Sequence, residues 1–206
     1  MRTRIKICGV TDPDMAGVAV AAGADALGFI FHPPSTRHLE LAQASAICRA
    51  VGPFVATVAV LVNPAREVVR AIIEQVNPSH LQFHGDEPAD FCAAFGKPYI
   101  KGLRVAPGAN LRDLEARYRC ARGILLDTHR PGVYGGSGAT FDWNQANYGA
   151  RLPLILAGGL TADNVARAIA ETAPFAVDVS SGVESHGRKD AEKIRRFCRA
   201  VGDAAA

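Results

Sequence analysis

The chain has 206 residues, 49% of them hydrophobic and 21% charged, with a formal net charge of +3. That is long enough for one sizeable core and too evenly mixed for a disordered or low-complexity chain. The mild charge does not mark a nucleic-acid binder, and the one basic cluster, 193–199 (KIRRFCR), reads as the solvated face of a C-terminal helix.

Residues 4–9, RIKICG, read as a strand running into a glycine turn, with Ile5 and Ile7 on one face and Lys6 and Cys8 on the other. Thr11-Asp12-Pro13-Asp14 signals a helix start, with the Ala-rich run 15–22 as its body and Gly23 as its stop. An apolar strand over 26–31 (ALGFIF) leads through the Pro-rich loop 32–39 to a helix over 40–51. A β-branched strand over 55–62 with a helix over 65–76 follows, then a strand over 79–85 with a helix over 86–95. A fifth strand, 99–105, precedes a short helix over 111–118, and a sixth, 122–127, opens into a glycine-rich loop over 128–140. Segment 141–147 is short for a full helix. A seventh strand over 152–159 with a capped helix over 161–171, and an eighth over 175–181 with a closing helix over 190–201, complete the pattern.

Apolar strands alternating with helices imply a parallel sheet covered on its outer face, and eight such units imply a closed (β/α)8 TIM barrel with a short or irregular fifth helix. One catalytic domain over 1–206 is expected. The competing architecture, an open doubly wound sheet, lacks its usual G-x-G-x-x-G turn, because Cys8-Gly9 is followed by Val10-Thr11-Asp12. Cys8, Cys48, Cys92, Cys120 and Cys198 are widely spaced with no C-x-x-C pair, which suggests neither a zinc site nor a disulfide framework. No apolar run approaches the roughly 18 residues of a membrane span and MRTRIKICGV has no apolar h-region, so a cytoplasmic location is expected. The absence of an obvious apolar surface stripe favours a monomer, with a homodimer as the alternative.

In such a barrel the chemistry sits at the C-terminal ends of the strands. Four of these ends carry ionisable groups: Cys8 on strand one, His84 on strand four, Asp127 on strand six and Asp178, with Ser180 and Ser181, on strand eight. Parity puts Gln82 with His84, Leu125 with Asp127 and Asp178 with Ser180. Asp127 leaves an apolar strand for a glycine-rich loop, where burial would raise its pKa and suit it to general-acid work. Gly158-Gly159 and Ser180-Ser181 occupy the two loops where barrels bind phosphate, and Arg37 offers a planar fork to a carboxylate. For each residue taken singly a structural role is the alternative: an inert core thiol for Cys8, a hydrogen-bonded polar group for His84, a tight connection for the turns, a solvated arginine for Arg37.

Together, KICG at 6–9, GFIF followed by STR at 35–37, LQFHG at 81–85, LLD at 125–127, GGSG then FDW at 135–143, LAGGL at 156–160 and DVSSGVE with GRKD at 178–190 resemble phosphoribosylanthranilate isomerase along the whole chain. The resemblance implies an Amadori rearrangement in tryptophan biosynthesis, without a cofactor or metal, on a small phosphosugar substrate. It assigns Asp127 as the acid that protonates the furanose ring oxygen and Cys8 as the base that removes the C2′ proton. It assigns Arg37 to the anthranilate carboxylate, Gly158, Gly159, Ser180 and Ser181 to the phosphate, and leaves Lys6, His84 and Asp178 as supporting groups without a defined part. Departures are small: Thr36 stands where the family often has proline, and Leu61 and Phe83 replace other apolar residues at positions expected to pack outward. The alternatives are the related histidine-biosynthesis or dual-substrate isomerase, whose resemblance would require an aspartate where Cys8 stands, and a non-catalytic phosphosugar-binding barrel.

Overall fold

Eight strands close into a parallel barrel in sequence order: β1 (Arg4–Cys8), β2 (Ala26–Ile30), β3 (Ala56–Leu61), β4 (His80–Phe83), β5 (Tyr99–Val105), β6 (Gly123–Thr128), β7 (Leu154–Leu156) and β8 (Ala176–Val179), with β8 returning to pair with β1. This computed structural model describes residues 2–105, 109–128 and 143–204. The expected glycine-rich loop beyond Thr128, with its GGSG stretch at 135–138 and Phe141-Asp142, lies outside the described residues.

Alternation along the strands separates two apolar clusters. Ile5, Ile7, Leu27, Phe29, Leu61, Leu81, Phe83, Leu126, Leu156 and Val177 point outward into the layer beneath the helices. Val58, Ile100, Leu125, Ile155, Ala157 and Ala176 form a separate plug inside the barrel. The substituted Leu61 and Phe83 pack outward as expected, Phe83 against Phe91, Phe95 and Tyr99. Exposed large apolar side chains in the described residues are Phe54, Val68 and Phe175, and Phe54 is 97% exposed.

The covering helices are α1 (Pro13–Ala21), α2 (Leu41–Ala50), α3 (Arg66–Gln75), α4 (Ala89–Ala93), α5 (Leu111–Arg117), α6 (Val165–Thr172) and α7 (Ala191–Ala204). Asp12 caps α1 by accepting the Asp14 N–H, and Pro13 occupies the first helical position, as its start signal implies. The fifth helix is short, but α4 is shorter still. Pro88 at its N-cap is extended and holds the residue before it out of helical geometry, so the helix cannot begin at 86. Among the described residues of the sixth unit, the segment expected to be short for a full helix holds a 3₁₀ turn, Trp143–Ala146. Strand β7 spans three residues rather than the expected eight, because Pro153 lacks an N–H on one side and Gly158-Gly159 turns the chain on the other. One feature went unanticipated: after β8, β9 (Glu184–Ser185) and β10 (Arg188–Lys189) form a two-stranded antiparallel ribbon.

A buried ion pair fixes the top of β4 from outside the barrel. Lys101 Nζ donates to Glu87 Oε2 at 2.7 Å and to the Gly85 carbonyl at 2.6 Å, while the Glu87 carboxylate accepts the N–H groups of Gly85 and Asn63. The His84-Gly85 turn therefore hangs from a charge that is almost wholly buried. Lys101→Met leaves Glu87 buried without its cation and is expected to destabilise the fold by about 3–5 kcal/mol, read as a lowered urea midpoint at unchanged m-value.

Candidate active site

The site is built on the seam where the barrel closes. Lys6 on β1 lies opposite Asp178 on β8, and its Nζ donates to Asp178 Oδ1 at 2.8 Å with both side chains buried. Two residues further along β1, Cys8 is in register with Gly28 on β2. A Cβ at Gly28 would stand 2.8 Å from Cys8 Sγ and 3.1 Å from Lys6 Nζ, so the thiol and the ammonium crowd one point and only glycine fits beside them. The charge of Lys6 is sustained there: burial opposes it, but Asp178 and Cys8 together lift its pKa above the ordinary lysine range. Burial pushes the Cys8 thiol up, with Lys6 and Lys189 pulling it down and Asp178 adding to the push.

The acid side stands on β4 and β6. His84 Nε2 lies 3.2 Å from Asp127 Oδ2, and His84 Nδ1 lies 3.0 Å from the Gln82 amide nitrogen. With the amide donating, Nδ1 is an acceptor and the imidazole presents an Nε2–H to Asp127. Gly102 on β5 leaves the room the ring needs, since a Cβ there would stand 2.7 Å from Nδ1.

Arg37 reaches the site over the Cys8-Gly9 turn. Gly9 has φ +74°, and a Cβ on it would meet Arg37 Cδ at 2.6 Å, so both conformation and space demand glycine. The guanidinium is held by Glu184, with Nε to Oε1 and Nη2 to Oε2 both at 2.7 Å. This fork uses two of its five N–H groups and leaves the Nη1 edge for another acceptor. Burial works to raise the Glu184 carboxyl, yet Arg37 and Lys189 hold it below the usual carboxylate range.

Gly158 and Gly159 turn the chain after β7 with φ of +85° and +64°, a pair that glycine adopts without strain. Gly182 packs on the Leu160 carbonyl oxygen so closely that no Cβ fits, which brings the turn after β8 against the turn after β7. One cavity is lined by Cys8, Arg37, Gln82, His84, Asp127, Gly158, Gly159, Asp178, Ser180 and Ser181. Every residue singled out from the sequence is thus on its wall except Lys6, which lies deeper and lines a cavity at the opposite mouth. Glu184 and Lys189 were missed as functional residues, and Gln82 was noted only for sharing a face with His84. Among the described residues no group of three or more His, Cys, Asp and Glu side chains is placed to hold a metal ion.

A family model described as N-(5′-phosphoribosyl)anthranilate (PRA) isomerase matches residues 5–200. An N-(5′-phosphoribosyl)anthranilate isomerase of Pseudomonas putida is 51% identical over 199 residues, covering 96% of this chain and 97% of that protein. The crystal structure of phosphoribosyl anthranilate isomerase from Thermotoga maritima superposes with a TM-score of 0.87 at 40% identity, covering 98% of this chain and 99% of that one. A phosphoribosyl anthranilate isomerase solved in complex with reduced 1-(o-carboxyphenylamino)-1-deoxyribulose 5-phosphate superposes with a TM-score of 0.82 at 37% identity, again over 98% and 99% of the two chains.

The electrostatics of β1 can be tested alone. Lys6→Met removes the nearest cation and leaves Asp178 unmasked, and both changes disfavour the Cys8 thiolate. Thiolate absorbance at 240 nm, taken as a difference against Cys8→Ala, is expected to appear at higher pH in Lys6→Met than in the parent chain.

Proposed function

The chain belongs to the N-(5′-phosphoribosyl)anthranilate isomerase family, enzymes of tryptophan biosynthesis, and from that premise we propose how its own residues convert N-(5-phosphoribosyl)anthranilate to 1-(2-carboxyphenylamino)-1-deoxyribulose 5-phosphate. Asp127 acts as general acid and gives a proton to the furanose ring oxygen, so that the C1′–O bond breaks and the anilinic nitrogen's lone pair forms a Schiff base. Cys8 acts as general base and takes the proton from C2′. The C–H electron pair becomes the double bond of an enolamine, which tautomerises to the ketone with a proton returned to C1′. No electrons enter or leave, so the step balances without a redox partner.

The reading is carried by one observation: a thiol beside a buried ammonium and a carboxylate beside an imidazole line the same cavity. Burial opposes the Cys8 thiolate, and Lys6 and Lys189 favour it. A protonated Schiff base brings a positive charge next to the sulfur and acidifies C2′–H, favouring proton transfer when it is needed. His84 is proposed to orient Asp127 through its Nε2–H, and Asp178 to hold Lys6 charged beneath the thiol. Arg37 is proposed to receive the anthranilate carboxylate on its Nη1 edge, and the Gly158-Gly159 and Ser180-Ser181 turns the phosphate.

The whole described chain is proposed to act as one catalytic domain. The roles given above are assigned within one chain, and a monomer is proposed. No helix among the described residues is long and apolar enough to cross a membrane, and a cytoplasmic location is proposed on the strength of the biosynthetic role.

Cys8→Ala and Asp127→Asn are each expected to lower kcat by about a hundredfold or more, the range for loss of a general acid or base. Near-normal turnover by either variant in a steady-state assay would reject its role. The base acts deprotonated, so turnover limited by Cys8 rises with pH through the thiol's titration. Arg37→Ala is expected chiefly to raise KM for the anthranilate-bearing substrate, and an unchanged KM would count against the carboxylate contact.

A further inference from the structure

Lys189 is a buried cation behind the wall of the site, with no part in the reaction just described. It ends β10 with its side chain 3% exposed, and its Nζ donates to the Ser180 carbonyl at 3.0 Å, to the Ser180 hydroxyl at 3.4 Å and to Glu184 Oε1 at 2.5 Å. These partners belong to the two anion contacts proposed above. Ser180 begins the turn after β8, and Glu184 is the carboxylate that grips Arg37 on its Nε and Nη2 edge.

The ribbon is constructed around this contact. Glu184 and Lys189 are cross-strand partners, joined through His186 and Gly187, whose φ values of 51° and 76° make the tight turn. Lys193 of α7 donates to the Glu184 carbonyl and Asp190 N–H to the Val183 carbonyl, pinning the ribbon at its base. Arg37, Glu184 and Lys189 together carry one net positive charge. Without Lys189, the Glu184 charge is matched to Arg37 alone, and the guanidinium's pull on an incoming anion is cancelled.

We propose that Lys189 is a positioning residue that couples the two anion contacts of the substrate site, setting the turn offered to the phosphate through Ser180 and the guanidinium offered to the carboxylate through Glu184. The inference rests on the roles proposed above for Arg37 and the Ser180 turn. Lys189 is expected to act on binding at both contacts, whereas Arg37 acts at one.

The test uses the full chain with inorganic phosphate and anthranilate as separate competitive inhibitors. Lys189→Met is expected to raise KM about tenfold, with a smaller loss in kcat, and to weaken inhibition by both probes. Lys189→Arg is expected to restore both, and Lys189→Gln, which keeps an N–H donor on a shorter stem without the charge, to show the same pattern on a smaller scale should the methionine variant fold poorly. In an Arg37→Ala background, Lys189→Met should still weaken phosphate inhibition and leave anthranilate inhibition where Arg37→Ala had put it. Inhibition constants unchanged in Lys189→Met despite a lowered melting temperature, or a change at one contact only, overturn the coupling. If Arg37→Ala itself leaves anthranilate inhibition unaltered, the assignment of Arg37 fails instead.

Discussion

The site depends on the ion pair between Lys6 and Asp178 at the seam of the barrel. A closed sheet has one place where its last strand must find its first, and here that place holds a lysine facing an aspartate in direct register. Neither charge could be kept in the barrel interior alone, because removing one partner of a buried pair typically costs about 3–5 kcal/mol. The pair thus ties closure of the fold to the field beneath Cys8. Its position also explains the glycine at 28, since the thiol and the ammonium occupy the space that a side chain on β2 would take.

Around this seam the site divides its labour by strand. β1, β2 and β8 hold the thiol and its counter-charges, β4 and β6 hold the imidazole and the carboxylate, and the loops after β7 and β8 together with Arg37 supply positive or N–H-rich surface for anions. The acid and the base lie on different strands, each with its own neighbour, so their protonation can be set separately. The outer face contributes as well: Glu87 and Lys101 anchor the turn that ends β4 and with it the imidazole that meets Asp127.

Much of this was legible in the sequence because the signals were local. Period-two alternation placed Ile5 and Ile7 outward and Cys8 inward, and the order of strands gave the barrel. The α4 start was misplaced because Pro88 acts on the residue before it while the apolar run continues past it, whereas segment 141–147, too short for a full helix, holds the 3₁₀ turn Trp143–Ala146. The proximity of Lys6 to Cys8 was undecided from the strand alone, since it depends on Gly28 and Asp178 on neighbouring strands. Glu184 and Lys189 were invisible as a pair because their meaning arises from a two-residue turn and from Arg37, 147 residues away. A His-Gly step flanked by charged residues was the signal that would have suggested the ribbon.

The claim at the centre of this account is that one group moves each proton, Asp127 at the ring oxygen and Cys8 at C2′. It is tested most directly by following substrate deuterated at C2′ through NMR in water with each variant. The account predicts that Cys8→Ala opens the ring but keeps the deuterium, and that Asp127→Asn keeps both the closed ring and the deuterium. Release of the C2′ deuterium by Cys8→Ala at the rate of the parent chain would contradict it.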